Sequence, residues 1–519
     1  MTEQNNPYDE VPYESLPIAV SHPSRMAAIA HLIGLNPVPI DQCRVLEIGC
    51  SAGANLIPMA ANFPNSTFVG IDYSAVQIAA GLPTIEALGL KNVTLKNVNV
   101  LDINSDFGQF DYIIAHGVYS WVPQAVRDKI MEVCARNLSP RGIAYVSYNT
   151  YPGWYMLRSI REMMMYHASK FETPQERAGQ ARALLEYLGS NTDAERSAYG
   201  MMLKDEISRL RTKSDRYLLH EHLESVNEPL YFHEFVEHAA RHELQYVGDT
   251  QFGTMIVPNL SSFVNDTLRK VTRDRIEMEQ YADFLRNGSF RRSLLTHRAA
   301  AARSDIELTR VKDMFLTSIA RPVSATPVLG TYQAEEFRTG EGAKGSTDNP
   351  ITKAALVVLG EQYPRPMKFA KLLRLARNKL PKGLAGDPKN EDLLAGDLLG
   401  AFILTLVEMH AFDIPVRSEL EIRPRISVLA RHQAPQGWVT SAFHARVAFD
   451  EFTRYLLPLL DGSRDRNALY REMFDAAWRG RITVASNGIP ILEENALRNA
   501  VKLSVDIALD KLVRAALLV

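Results

Sequence analysis

Cysteine is scarce: the 519-residue chain has three, Cys43, Cys50 and Cys134, and no two form a Cys-x-x-Cys pair. They read as reduced and buried or half-buried, which fits a cytoplasmic protein. A surplus of either charge is also missing, since 58 Lys and Arg stand against 60 Asp and Glu for a formal net charge of -2. No nucleic-acid partner is expected from that balance. The most apolar stretch, 392–412, is interrupted by Asp397, Glu408 and His410 and reads as a buried helix, so no membrane insertion is expected. Met1 to Glu10 has neither a basic n-region nor an apolar h-region, so no export signal is expected. The helix pattern His-Glu-x-x-His is absent too. Glu234, His238 and His242 recur at i, i+4 and i+8 beyond His220 and His222, and they read as a polar helix face with no metal.

What is present is an ordinary globular composition, 46% hydrophobic and 23% charged, long enough for two or three domains. Within it, Arg44-Val-Leu-Glu-Ile-Gly-Cys-Ser-Ala-Gly-Ala-Asn55 is a glycine-rich turn between a short apolar run and a helix. Phe68-Val-Gly-Ile-Asp72 follows about twenty residues on, as a nucleoside site requires. Gly49 and Gly53 allow sharp turning and close backbone approach. Asp72, at a strand end, can accept both hydroxyls of a ribose.

The spacing separates the candidates. A dinucleotide site uses Gly-x-Gly-x-x-Gly to seat pyrophosphate, whereas this loop reads Glu47-x-Gly49-x-Ser51-x-Gly53. Its acid repels phosphate and suits a cation. S-adenosylmethionine carries a sulfonium and an ammonium and no phosphate, and the loop resembles motif I of class I methyltransferases, with serine at position 51 where glycine is commoner. Gly49-Cys50-Ser51-Ala52-Gly53 also matches the Gly-x-Ser-x-Gly nucleophile elbow. That reading fails on context, because no strands and no oxyanion loop precede it.

Strand-like runs at 45–48, 68–71, 93–95, 112–115 and 143–147 alternate with helical stretches, which predicts an α/β, mainly parallel seven-stranded Rossmann-like sheet completed by 244–247 and 290–296. Ligands bind beyond the carboxyl ends of such strands. Helical periodicity over about 155–240 predicts an insertion capping that edge. The expected division is a methyltransferase domain over 1–300, a connecting segment over 301–349 with a Gly-rich linker at 331–349, and a mostly helical, winged-helix-like domain over 350–519 for protein contact or homodimerisation. Helices are expected at 351–363, 368–378 and 391–410.

Beside Glu47, Gly49, Ser51, Gly53, Asn55 and Asp72, the cofactor is expected to meet Tyr73, Gln77 and the Asn99-Val100 pair. Methyltransferases usually place an acid for the adenine amino group at that pair, and here the Asn99 carbonyl oxygen must serve. His116, Tyr119 and Trp121 follow the fourth run, and Tyr148, Asn149 and Tyr151 follow the fifth. These two aromatic clusters on one sheet edge read as lining where sulfonium and substrate meet, with His116 also near the cofactor.

Together with Tyr112-Ile-Ile-Ala-His-Gly-Val-Tyr-Ser-Trp-Val-Pro123, Val146-Ser-Tyr-Asn-Thr-Tyr-Pro-Gly-Trp154 and Phe290-Arg-Arg-Ser-Leu-Leu-Thr-His297, these features resemble bacterial methyltransferases with a methyltransferase regulatory domain. The best-described of these are rickettsial protein lysine methyltransferases. The resemblance implies transfer of methyl from S-adenosylmethionine to protein lysine amines, leaving S-adenosylhomocysteine. A small-molecule N- or O-methyltransferase and a non-catalytic cofactor-binding partner protein remain as alternatives.

Overall fold

Short apolar runs that bury side chains on both faces build the central sheet. The structure is a computed structural model that describes residues 7–255, 262–303, 305–486 and 488–519. Residues 1–6, on which the reading of no export signal partly rests, lie outside the described residues. β1 (Arg44–Ile48), β2 (Thr67–Asp72), β3 (Val93–Asn97), β4 (Phe110–Ala115), β5 (Leu138–Asn149), β6 (Leu244–Asp249) and β7 (Phe290–His297) form one sheet. Its order is β3-β2-β1-β4-β5-β7-β6, with β7 antiparallel to both neighbours and the other pairings parallel. This is the class I methyltransferase fold expected from the sequence.

Strand alternation divides the core. Val45, Tyr112, Ile114, Ile143 and Tyr145 face one hydrophobic layer. Leu46, Ile48, Ile113, Ala144, Val146 and Tyr148 face the other, with Phe232 and Phe235 of the helix Phe232–Arg241.

The insertion spans helices Gly153–Ala168, Pro174–Ser190, Ala198–Leu210, Asp215–His222 and Phe232–Arg241. Helix 174–190 starts where it does because Thr173 and Glu176 form a capping box and Pro174 sits in the first turn. Ile160, Met164, Ala181, Leu185, Leu203 and Leu218 share a small core of their own. The insertion returns beside the carboxyl ends of β4 and β5: Glu228 donates its N–H to the Ser120 carbonyl at 2.8 Å, and Tyr151 to that of Leu230 at 3.2 Å.

Two expectations for the second half are corrected. The segment expected as a linker at 331–349 contains paired strands. β8 (Phe315–Thr317) and β9 (Arg321–Pro322) precede β10 (Glu335–Arg338) and β11 (Lys344–Thr347), and β10 pairs with both β9 and β11. Phe337 is fully buried, and Lys353 Nζ binds the carbonyls of Val328, Thr331 and Gln333 at 3.0, 2.6 and 2.7 Å.

The helix expected over 391–410 ends at Ile403. Thr405 takes φ +57, a left-handed conformation that a β-branched residue avoids inside a helix. His410 lies instead in β13 (Glu408–His410), which with β12 (Met367–Lys368) flanks β8.

The region beyond 350 has two cores. Ile351, Leu372, Leu398 and Met409 continue the sheet's own layer. Ile426, Leu456, Leu469, Val501 and Leu512 form a separate one, around helices Arg466–Trp478 and Glu494–Arg514 and the hairpin β14 (Trp438–Thr440) and β15 (Arg446–Ala448). Among the described residues, no helix is long and apolar enough to cross a membrane.

Candidate active site

The turn after β1 is held by β2. Gly49 and Cys50 donate their N–H groups to the Ile71 carbonyl at 2.8 and 3.0 Å. Gly49 and Gly53 take φ +73 and +74, and a Cβ on Gly49 would sit 2.5 Å from Val118 Cγ2. Position 49 therefore excludes a side chain on two counts. Ser51 adopts φ +51, directs its N–H to Asp72 Oδ2 at 2.8 Å, and gives its hydroxyl to Gln77 Oε1. Asp72 Oδ1 accepts from Ser74 N at 2.9 Å. The Asp72 carboxylate keeps lone-pair capacity for a further donor.

Glu47 is 4% exposed. Its Oε1 accepts from Asn55 Nδ2 at 2.8 Å, and its Oε2 has no partner. Burial pushes its carboxyl up to about 8, and Asp72 adds to the rise against the Asn55 hydrogen bond. Burial also raises Asp72, against the Ser74 and Ser51 amides. A buried acid with one idle oxygen next to a strand-end acid with open lone pairs matches a ligand bearing an ammonium and a ribose. S-adenosylmethionine carries both.

Asn55, expected at the ligand, instead has both ends of its amide engaged: Oδ1 accepts from Ile18 N at 2.8 Å, and Nδ2 reaches Glu47 and Ser21. Gln77 is buried under Ser51, whereas Tyr73 is 65% exposed. Asn99 Oδ1 caps its own turn by accepting from Leu101 N at 3.0 Å, which occupies one of its lone pairs. Val100 is half-buried beside it.

On the acceptor side the strands separate residues that the sequence grouped. Half-buried His116 places Nδ1 2.8 Å from the Tyr145 hydroxyl. Burial, reinforced by Arg292, brings its imidazole down to about 4, so it is neutral at physiological pH.

Tyr119 and Tyr148, expected to line the pocket, are core residues. Tyr119 Oη meets His238 Nδ1 at 2.5 Å, and Tyr148 Oη meets Ser293 Oγ at 2.9 Å. Both rings pack on Phe235. Tyr148 shares the strand face of Ala144 and Val146, which turns it toward the covering helix. Asn149 takes the opposite face, 3% exposed, with no partner for its Nδ2. Trp121 is half-buried edge-on to Trp154 at 6.2 Å. Tyr151 stacks on exposed Tyr155 at 4.0 Å, with Tyr231 5.5 Å away.

The histidines regroup as well. Glu234 caps its own helix by accepting from Tyr231 N at 2.7 Å. Asp128 takes its place, with ligand atoms of Asp128, His238 and His242 within 4.8 Å of one another. His238 Nε2 lies 2.8 Å from Asp128 Oδ1.

Two contributors carried no sequence signal. The chain before the first strand crosses the carboxyl ends of β1 and β2, where Ser74 Oγ donates to Asp9 at 2.5 Å and Ala54 N to Ser15 Oγ at 3.1 Å. His444, from the C-terminal core, reaches Asn55 at 2.8 Å. Neither segment has a motif, and only folding brings them to the loop.

Three family models match: "Methyltransferase domain" over residues 46–144, "Predicted methyltransferase regulatory domain" over 214–297, and "PKMT, C-terminal winged helix domain" over 423–517. The chain is 36% identical over 524 residues to protein RP789 of Rickettsia prowazekii, which covers 99% of this chain and 94% of that one. It is also similar to the structure of PKMT2 from Rickettsia typhi in complex with AdoHcy. The TM-score is 0.88 and the identity 31%, over 98% of this chain and all of that one.

Proposed function

We propose that this chain, which belongs to the family of S-adenosylmethionine-dependent methyltransferases with a methyltransferase regulatory domain and a PKMT winged-helix domain, methylates lysine side-chain amines of a protein. The observation that carries the acceptor reading is the aromatic rim after β5. Half-buried Tyr151 and Tyr231 cluster with exposed Tyr155, and an aromatic face turned to an ammonium is worth about 0.5–2 kcal/mol. The likeness to PKMT2 along nearly the whole chain supports the same reading.

When bound, S-adenosylmethionine supplies an electrophilic methyl on its sulfonium. The residues have two tasks. Glu47 and Asp72 hold the cofactor's ammonium and ribose through the open oxygens described above. The acceptor edge must take the lysine as a free amine, which costs about 4 kcal/mol at pH 7.4 for an ordinary lysine pKa. Neutral His116 adds no cation there, and Asn149 offers a buried amide with spare hydrogen-bonding capacity. No base is assigned, because a desolvated amine beside a sulfonium loses its proton more readily.

The test is transfer of tritiated methyl from S-adenosylmethionine into a bacterial lysate, separated into acid-precipitable protein and filterable metabolites. Label in protein, lost with Asp72→Ala, is the expected result. Label confined to the filtrate contradicts a protein acceptor.

A further inference from the structure

The loop between β14 and β15 reaches out of the C-terminal domain into the layer behind the cofactor turn. His444 sits at its tip with φ +61, 1% exposed. His22 lies 5.0 Å from it between ring centroids, and the adjacent Phe443 stacks on His410 at 5.5 Å. The loop thus touches the methyltransferase domain through His22 and β13 through His410.

Its polar contact joins residues 389 apart: His444 Nε2 lies 2.8 Å from Asn55 Oδ1. The direction of that bond is fixed. Ile18 N–H also points at Asn55 Oδ1, which must therefore be the amide's acceptor end, so His444 Nε2 carries the proton and donates. Asn55 then donates from Nδ2 to Glu47 Oε1 and to Ser21 Oγ, at 2.8 and 3.1 Å. Its hydrogen-bonding capacity is fully used, which pins the orientation of Glu47 and leaves Oε2 free.

We infer that His444 is a positioning residue for the cofactor. From the winged-helix domain it locks Asn55, and through Asn55 it holds Glu47 with its free oxygen toward the ligand. Docking of that domain and binding of the cofactor then strengthen each other, because a coupling between two sites is reciprocal. This inference rests on the cofactor alone and is independent of the methyl acceptor.

The experiment is calorimetric titration of the full chain with S-adenosylhomocysteine. His444→Phe keeps a planar ring and removes the donor. His444→Gln keeps an N–H at similar reach. Leu469→Ala loosens the C-terminal core at a position outside the hydrogen-bond chain from His444 to Glu47. His444→Phe is expected to weaken binding about three- to tenfold, the worth of one neutral hydrogen bond. His444→Gln should recover most of the loss, and Leu469→Ala should bind as the unmodified chain does while melting earlier. Unchanged affinity in His444→Phe overturns the inference, and so does an equal loss in Leu469→Ala, which would make the effect one of general loosening. Absence of binding to the unmodified chain is a separate failure, of the cofactor itself.

Discussion

The backbone N–H of Ser51 and the Oδ2 of Asp72 lie 2.8 Å apart, so the glycine-rich turn and the acid that ends β2 form one hydrogen-bonded unit. Asp72→Ala removes the proposed acceptor of two ribose hydroxyls and also frees the turn. Two charge-assisted hydrogen bonds at about 1.5–3 kcal/mol each set the expected loss of S-adenosylhomocysteine affinity at about 10²-fold or more. Asp72→Asn keeps one acceptor and should fall between. Calorimetry on both variants checks this order.

The role proposed for Glu47 makes binding pH-dependent. Burial raises its carboxyl from the usual 4.5 to about 8, so the folded apoprotein holds this proton more tightly than the unfolded chain does. The associated stability is complete below about pH 4.5 and is lost as pH rises through about 8. A ligand ammonium favours the carboxylate, so binding at pH 7 should release close to one proton. Titrations in buffers of different ionisation enthalpy measure that release. Glu47→Gln should abolish it, weaken binding, and leave the apoprotein more stable than the unmodified chain at pH 9.

Gly81→Ala sets two effects of opposite sign against each other. Alanine gains about 1 kcal/mol of helix propensity within Ala75–Leu88. The new Cβ, however, would stand 2.4 Å from the Ala52 carbonyl oxygen, which is backbone of the cofactor turn. The clash should win. The variant is expected to lose stability by about 1–3 kcal/mol in urea unfolding and to bind S-adenosylhomocysteine more weakly, although no ligand atom is touched.

Arg291 is 1% exposed and bridges Asp283 and Glu279 at 2.8 and 2.7 Å, with its guanidinium 3.9 Å from the centre of the Phe232 ring. Arg291→Met would remove both ion pairs from this cluster, leaving Glu279 with Arg275 and the Tyr246 hydroxyl, each at 2.9 Å, and Asp283 without its two hydrogen bonds from the guanidinium. The expected loss is about 3–5 kcal/mol, measured as a shift of the urea midpoint at unchanged slope.

Much of this was legible in the sequence, and the exceptions have physical causes. The seven strands follow from short apolar runs at parallel-sheet spacing, and the turn from glycines that only a close backbone approach explains. The parity of β5 was also readable: Ala144, Val146 and Tyr148 share one face, so Tyr148 belonged to the core and Asn149 to the opposite side. The 331–349 segment misled because the turn residues of a short hairpin, Gly340 and Gly342 here, have the composition of a linker. Contacts such as Asn55 with His444 join distant, unpatterned loops, and local periodicity holds no record of them.

The most direct test of the central claim is amino-acid analysis of a protein methylated by this chain with labelled S-adenosylmethionine. After complete acid hydrolysis the account predicts label in Nε-methylated lysine, absent with Asp72→Ala. Label in methylarginine, or in base-labile methyl esters lost before hydrolysis, would contradict it.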